Sequence, residues 1–285
     1  MSIKVDKLSY TYQPDTPFEK EALYDLTFEI PDGQITAIMG HTGSGKSTLA
    51  QHFNGLLLPT DGSCTVNGLL VNSKNLKEVR QHVGMIFQYP EYQLFDETVL
   101  KDIAYGILLR GVDPVEAEKG AADAMRLVGL DPETLGNRSP FDLSGGQKRR
   151  AAIAGVLVME PEILVMDEPA AGLDPEGRRE ILNLVRTLNK ERGITVVIVS
   201  HSAEDMAELA DNILVLRQGR LHAYGTPREV FSDSSNLEEA GLELPLAKQL
   251  LINLSQFLPG LDTGAYTVEG ATEAIIQYSR GEAHE

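Results

Sequence analysis

Gly40-His41-Thr42-Gly43-Ser44-Gly45-Lys46-Ser47, with Thr48 directly after it, decides how the chain is read. The apolar stretch Ile35-Thr36-Ala37-Ile38-Met39 before it predicts a buried strand, and Ser47-Thr48-Leu49-Ala50 predicts the start of a helix. The spacing G-x-x-x-x-G-K-[ST] lets the glycines take backbone angles closed to other residues. Successive N–H groups then turn inward and form a concave nest for phosphate oxygens. Lys46 adds a point charge. The following helix aims its unpaired N–H groups and the positive end of its dipole at the same anion, and the Ser47 hydroxyl is placed to ligate Mg²⁺. The expected ligand is a nucleoside triphosphate with magnesium, bound by Gly40, His41, Thr42, Gly43, Ser44, Gly45, Lys46, Ser47 and Thr48.

Outward from this loop, three more apolar runs end on polar residues. Val83-Gly84-Met85-Ile86-Phe87 delivers Gln88, Ile163-Leu164-Val165-Met166 delivers Asp167-Glu168-Pro169, and Ile194 to Val199 ends at Ser200-His201. Continuous apolar runs suit strands covered on both faces, and strands alternating with helices imply a mainly parallel sheet whose chemistry lies at the carboxyl ends of its strands. Lys46, Asp167, Glu168 and His201 all fall just past such ends. Asp167 is placed to hold the magnesium. Glu168, one residue further, is placed to polarise a water in line with the γ-phosphate.

The flanking segments read more simply. Ile3 to Tyr12 and Ala22 to Ile30 alternate apolar and polar residues and predict an antiparallel lobe, with Cys64 to Val66 and Leu69 to Val71 as short strands around Asn67-Gly68. From Thr98 to Leu130 the period turns helical, and Asp113, Pro114 and Glu116 predict a capping box. Pro161 ends the helix after Leu143-Ser144-Gly145-Gly146-Gln147. Asp174-Pro175 opens a helix stopped by Gly193, and Ser202 with Asp205 caps the next. Ile213 to Tyr224 reads as a hairpin about Gln218-Gly219, and Thr226 to Glu229 starts a further helix. Beyond about Asn236 the periodicity weakens.

The chain has 285 residues and a formal net charge of −17, which argues against nucleic acid as a partner, because phosphate-backbone binding needs a basic surface. Residues 226–285 hold ten acids against three bases, so the tail is the more acidic part. A single cysteine, Cys64, excludes an internal disulfide and fits a reducing compartment. Secretory-signal character is missing from the first residues, and no apolar run approaches the roughly 20 residues that span a bilayer, so any membrane role is expected to come through a partner. Lys148-Arg149-Arg150 reads as a solvated helix face.

Leu143-Ser144-Gly145-Gly146-Gln147 is the most diagnostic stretch after the phosphate loop. It puts another serine, two glycines and a helix N-terminus far from the first nest. LSGGQ between Lys46-Ser47 and Asp167-Glu168 resembles the signature of the ATP-binding-cassette (ABC) ATPases, in which two cassettes pack head to tail and the signature of one closes over the ATP of the other. The resemblance spans about residues 3–235 and implies an α/β fold: a P-loop core of the ABC ATPase type with an antiparallel β lobe, an α-helical subdomain at about 96–145, and a small C-terminal extension over 236–285 beyond a nucleotide-binding domain of 1–235. It implies ATP and Mg²⁺ as ligands. Tyr12 matches the aromatic stacked on adenine, and Ser144, Gly145, Gly146 and Gln147 match the residues closing over ATP. Ser47, Asp167 and Gln88 fall on the metal-binding positions. Gln88, Glu168 and His201 take the catalytic positions, and Gly172-Leu173-Asp174 the D-loop.

Within that superfamily, Phe87-Gln88-Tyr89-Pro90-Glu91-Tyr92-Gln93-Leu94-Phe95, Gly40-His41-Thr42 and Ala171-Gly172-Leu173-Asp174-Pro175 resemble the ATPases of energy-coupling-factor (ECF) transporters, and of their two ATPase types the second paralogue. Ala170 departs from the pattern, where threonine is common. The resemblance implies a motor subunit that hydrolyses ATP to power uptake of vitamins or related micronutrients, with a cobalt, nickel or other ABC importer as the alternative. Its implied partners are a second ABC ATPase, expected to be a paralogue in a heterodimer, a transmembrane coupling protein, and a membrane-embedded substrate-binding protein, all meeting this chain at the cytoplasmic face of the cell membrane. Tyr89 to Phe95 is expected to line a groove for a cytoplasmic helix of the coupling protein, with Glu91 available to pair with an arginine on it.

Overall fold

The computed structural model describes residues 3–232 and 234–281. Of the tail's acids, Asp233, Glu282 and Glu285 lie outside the described residues. Strands β1 (Ile3–Tyr12), β2 (Lys20–Ile30), β4 (Asp61–Val66) and β5 (Leu69–Leu70) make an antiparallel sheet of order β2-β1-β4-β5. The second sheet runs β10-β9-β3-β8-β7-β6. Its members are β3 (Ile35–Met39), β6 (Val83–Ile86), β7 (Ile163–Asp167), β8 (Thr195–Val199), β9 (Asn212–Arg217) and β10 (Arg220–Gly225). All neighbours in it are parallel except the β9–β10 hairpin.

Alternation along the parallel strands explains why they read as unbroken apolar runs. Ala37, Leu164, Met166, Val196, Ile198, Ile213 and Val215 face one core, shared with the helices. Ile38, Ile163, Val165, Val197, Val199, Leu214 and Leu216 face another, shared with the antiparallel lobe. Both faces are covered, so neither needs polar residues. The helix Lys46–Phe53 lies in the second core through Leu49, Ala50 and Phe53, all fully buried. That packing holds the phosphate loop at the carboxyl end of β3.

The helical group comprises Val99–Leu108, Pro114–Leu127 and the helix Gly145–Leu157. Asp113 caps the second of these through the Val115 N–H, a simpler cap than the expected box with Glu116. The helix Leu76–His82 falls where the sequence suggested none; Val79 is its only buried residue, too little to create a periodic signal. In the tail, Leu237, Ala240, Leu242 and Leu244 join the main core. Leu246–Ser255 and Val268–Ser279 then pack together around Leu251, Leu261, Ala271 and Ala274. Buried Lys248 interrupts the apolar stripe of the first of these helices, which is why the pattern there looked weak.

His52 gives the fold a pH dependence. Its ring is fully buried beside Tyr10, Nδ1 donates to the Thr48 carbonyl at 2.7 Å, and Nε2 makes no hydrogen bond, which fixes the neutral Nδ1–H tautomer. Burial pulls its pKa down from 6.5 to about 4, against the hydrogen bond to Thr48, which raises it. The unfolded chain therefore takes up this proton first. The stabilisation is complete above pH 6.5 and is lost as pH falls towards 4, a change of roughly 2–3 kcal/mol at 1.36 kcal/mol per pKa unit. Urea unfolding at neutral pH and near pH 4.5 should show His52→Gln losing less stability on acidification than wild type by about that amount.

Candidate functional site

The phosphate loop is shaped by backbone angles its glycines alone tolerate. Gly43 and Gly45 have φ of 82° and 103°. A side chain on Gly40 would come within 2.3 Å of the Leu216 carbonyl oxygen, so the loop is pressed onto β9. On the other side Gly219 donates its N–H to the Ser44 carbonyl at 3.0 Å and accepts from the Tyr24 N–H at 2.9 Å. The β9–β10 turn thus ties the loop to β2. Lys46 Nζ donates to the carbonyls of Gly40 at 2.8 Å and His41 at 3.0 Å, which folds its side chain back over the loop. Ser44 Oγ is buried within the loop without a hydrogen-bond partner.

In front of the loop lies an open cleft of about 630 Å³, within the usual range for a ligand site. Tyr12, Thr42, Gly43, Gly45, Lys46, Ser47, Thr48, Gln88, Asp167, Glu168 and His201 line it. Gly40, His41 and Ser44 are not among its lining residues: Gly40 and Ser44 are buried, and half-buried His41 lies beside Gly241 of the tail. Tyr12 meets Thr48 through their hydroxyls at 3.0 Å and stands edge to face with Tyr10. Burial pushes the Asp167 carboxyl above its ordinary pKa, opposed by a hydrogen bond from Ser47 and the charge of Lys46. Burial likewise lowers the Lys46 pKa, opposed by the charges of Glu168 and Asp167.

Glu168 holds a left-handed backbone, φ 49°, costly for a residue with a side chain. Its N–H donates to the Val199 carbonyl at 3.0 Å and its own carbonyl accepts from Ala171, so sheet and loop together impose the conformation. The carboxylate is thereby aimed into the cleft, where Oε1 lies 2.8 Å from Nδ1 of His201. Asp167 and Ser47 offer hard oxygen atoms of the kind Mg²⁺ prefers.

Ser144, Gly145, Gly146 and Gln147 do not line this cleft. Ser144 caps the helix Gly145–Leu157 in a reciprocal box: its Oγ accepts from the Gln147 N–H, and Gln147 Oε1 accepts from the Ser144 N–H at 3.0 Å. Ser144 and Gly145 are exposed, and a side chain on either Gly145 or Gly146 would meet nothing within 4 Å.

Residues 23–171 match the ABC transporter family. The energy-coupling factor transporter ATP-binding protein EcfA2 of Acetivibrio thermocellus is 49% identical over 98% of this chain and 99% of its own length. Its counterpart in Clostridium perfringens is 48% identical over the same shares. This chain belongs to the ABC transporter family, among its energy-coupling factor ATP-binding proteins. The structure of cbiO1 from Clostridium perfringens, part of the ABC transporter complex cbiONQ, superposes with a TM-score of 0.74 at 36% identity, covering 90% of this chain and 96% of that one. A dimeric ATP-binding cassette in a post-hydrolysis state with ADP and Pi gives a TM-score of 0.71 at 28% identity over 79% of this chain and 98% of that one.

Two expectations for this ABC ATPase need correction. Glu91 is not available to an outside arginine: its carboxylate is gripped by Arg149, Nε to Oε2 at 3.0 Å and Nη2 to Oε1 at 2.7 Å. Burial pushes the Glu91 carboxyl up, but hydrogen bonds and charge from Arg149 outweigh it and hold the pKa below the ordinary value. Nor is Arg149 part of a solvated face, being only 3% exposed. Tyr92, in contrast, is 85% exposed, while Leu94 is buried and Phe95 leans on Tyr105. The cleft also has walls the sequence did not reveal: Lys20, Glu21, Ala22 and Tyr24 from β2, and Gln218 with Gly219. Gln218-Gly219 carried a turn signal, but nothing local showed that the turn braces the phosphate loop.

Proposed function

We propose that this chain is the ATP-binding and ATP-hydrolysing motor subunit of an energy-coupling-factor importer, powering uptake of vitamins or related micronutrients through membrane partners. The reading is carried by one observation: Lys46, Asp167, Glu168 and His201 share a cleft, while the capped Ser144–Gln147 terminus, exposed at Ser144 and Gly145, stands outside it. Such a terminus suits the nucleotide of a second cassette, most simply a paralogue packed head to tail. Residues 1–235 then form the nucleotide-binding unit, with the helical subdomain at about 96–145 and an extension from 236.

In this reading the loop amides and Lys46 take the β- and γ-phosphates, and Tyr12 stacks on adenine. Ser47 and Asp167 would hold Mg²⁺, with Gln88 beside it, and the ion would neutralise phosphate charge. Glu168 accepts the proton of the attacking water, and His201, within hydrogen-bond reach of Glu168, orients that carboxylate and steadies the developing charge. No helix among the described residues is long and apolar enough to cross a membrane, so force reaches the bilayer through a transmembrane coupling protein and a membrane-embedded substrate-binding protein at the cytoplasmic face.

Tyr92, exposed on the turn that follows Gln88, is the contact assigned to the coupling protein. Tyr92→Ala should leave melting temperature and ATP binding unchanged, yet reduce co-purification with a polytopic membrane protein in mild detergent by about tenfold or more, as truncation of an aromatic anchor does. Undiminished co-purification would place the docking surface elsewhere.

A further inference from the structure

Arg149 lies one turn into the helix Gly145–Leu157, and its side chain joins three segments of the nucleotide machinery. On one edge the guanidinium forks onto Glu91, which belongs to the turn Pro90–Gln93 directly after Gln88 and Tyr89. On the other edge Nη1 donates to the carbonyls of Pro169 at 3.2 Å and Ala171 at 2.7 Å, in the loop directly after Glu168. The Tyr89 ring lies 5.8 Å from Cζ. It also rests against Gly172, where an added Cβ would stand 3.5 Å from the ring. Tyr89 and Glu168 both hold left-handed backbones, φ 56° and 49°, so the segments leaving Gln88 and Glu168 are each strained and each end on Arg149.

A buried ion pair is weak as a source of stability, since apolar residues of the same shape often serve as well. Its strength is geometry: a rigid fork reads a planar carboxylate and two carbonyls at fixed angles, which lysine cannot do. We propose that Arg149 is a positioning residue for ATP hydrolysis: through Glu91 and the carbonyls of Pro169 and Ala171 it sets Gln88 and Glu168 relative to each other and to the helix that begins at Ser144. Displacement of that helix by a neighbouring cassette would then be felt at this chain's own Glu168. The inference rests on the hydrolytic reading above.

The test uses the full chain assembled with its second cassette and membrane partners, assayed for ATPase kcat and KM well below the melting temperature, with Glu168→Gln in parallel. Arg149→Lys keeps the charge and loses the fork. It should lower kcat roughly ten- to a hundredfold, as small misplacements of reacting groups do, with KM within about twofold and the MgATP-induced thermal shift retained. Glu91→Gln should show the same split more mildly, and the double variant should be no worse than Arg149→Lys alone, because the pair acts as a unit. Arg149→Lys with unchanged kcat, or with kcat reduced only in step with the folded fraction, overturns the positioning role. Persistent turnover in Glu168→Gln instead overturns the hydrolytic reading itself. Should Arg149→Ala fail to fold, the Lys and Gln variants still decide.

Discussion

Glu168→Gln is expected to lose ATP turnover by about 10²- to 10⁴-fold, the usual worth of a general base, while ATP binding persists. The amide keeps the shape of the carboxylate and the left-handed turn that aims it, but it cannot take a proton from water. Because Glu168 lies beside Asp167 and within 2.8 Å of His201, the substitution also removes the charge that holds the imidazole. In the proposed site, phosphate binding by the loop and Lys46 would be untouched, so the variant should retain its thermal shift with MgATP and accumulate closed pairs of cassettes with ATP trapped between them. Single-turnover assays would separate the chemical step from binding. Turnover within a few-fold of wild type would remove Glu168 from the catalytic position.

How much of this site could be read from the sequence depended on whether the chemistry was local. The loop from Gly40 to Ser47 carries its geometry in its own residues, since glycines at φ 82° and 103° are a property of that stretch. Asp167 and Glu168 were equally legible: a strand buried on both faces must surface at its end, and whatever follows it points at the loop beside it. Arg149 was not. One helical step of about 100° separates it from Lys148 and from Arg150, and only the packing of the helix against the turn at Glu91 decides which of the three turns inward. Gly219 was half legible, as a turn but not as a brace. Nothing near it announces the Ala22 carbonyl, which a side chain there would approach to 2.4 Å. The first tail helix, Leu246–Ser255, escaped because buried Lys248 breaks the stripe that marks such helices.

The other large effect concerns the serine outside the cleft. Ser144→Arg replaces the capping serine of an exposed helix N-terminus with a bulky cation; because that terminus stands outside the cleft, ATP binding by the chain's own loop should be unchanged. Across a head-to-tail interface the same side chain would fill the space above the neighbour's nucleotide, and ATP trapping there should fall on the order of a hundredfold or more, comparable to losing a buried anchor. Lys46→Ala acts on the opposite half of each site. In the proposed site it deletes a charge that would reach the phosphates, where charge-assisted bonds are each worth about 1.5–3 kcal/mol. The two substitutions therefore combine differently according to which chain carries them.

ATP trapped per pair of chains, counted in the Glu168→Gln background, tests the composite site most directly. A pair with Ser144→Arg in this chain and the phosphate-loop lysine of the partner cassette replaced by alanine keeps one intact loop facing one intact signature, and should trap about one ATP, whereas Ser144→Arg and Lys46→Ala together in this chain damage both sites and should trap almost none. Equal occupancy in the two pairings would contradict the head-to-tail arrangement.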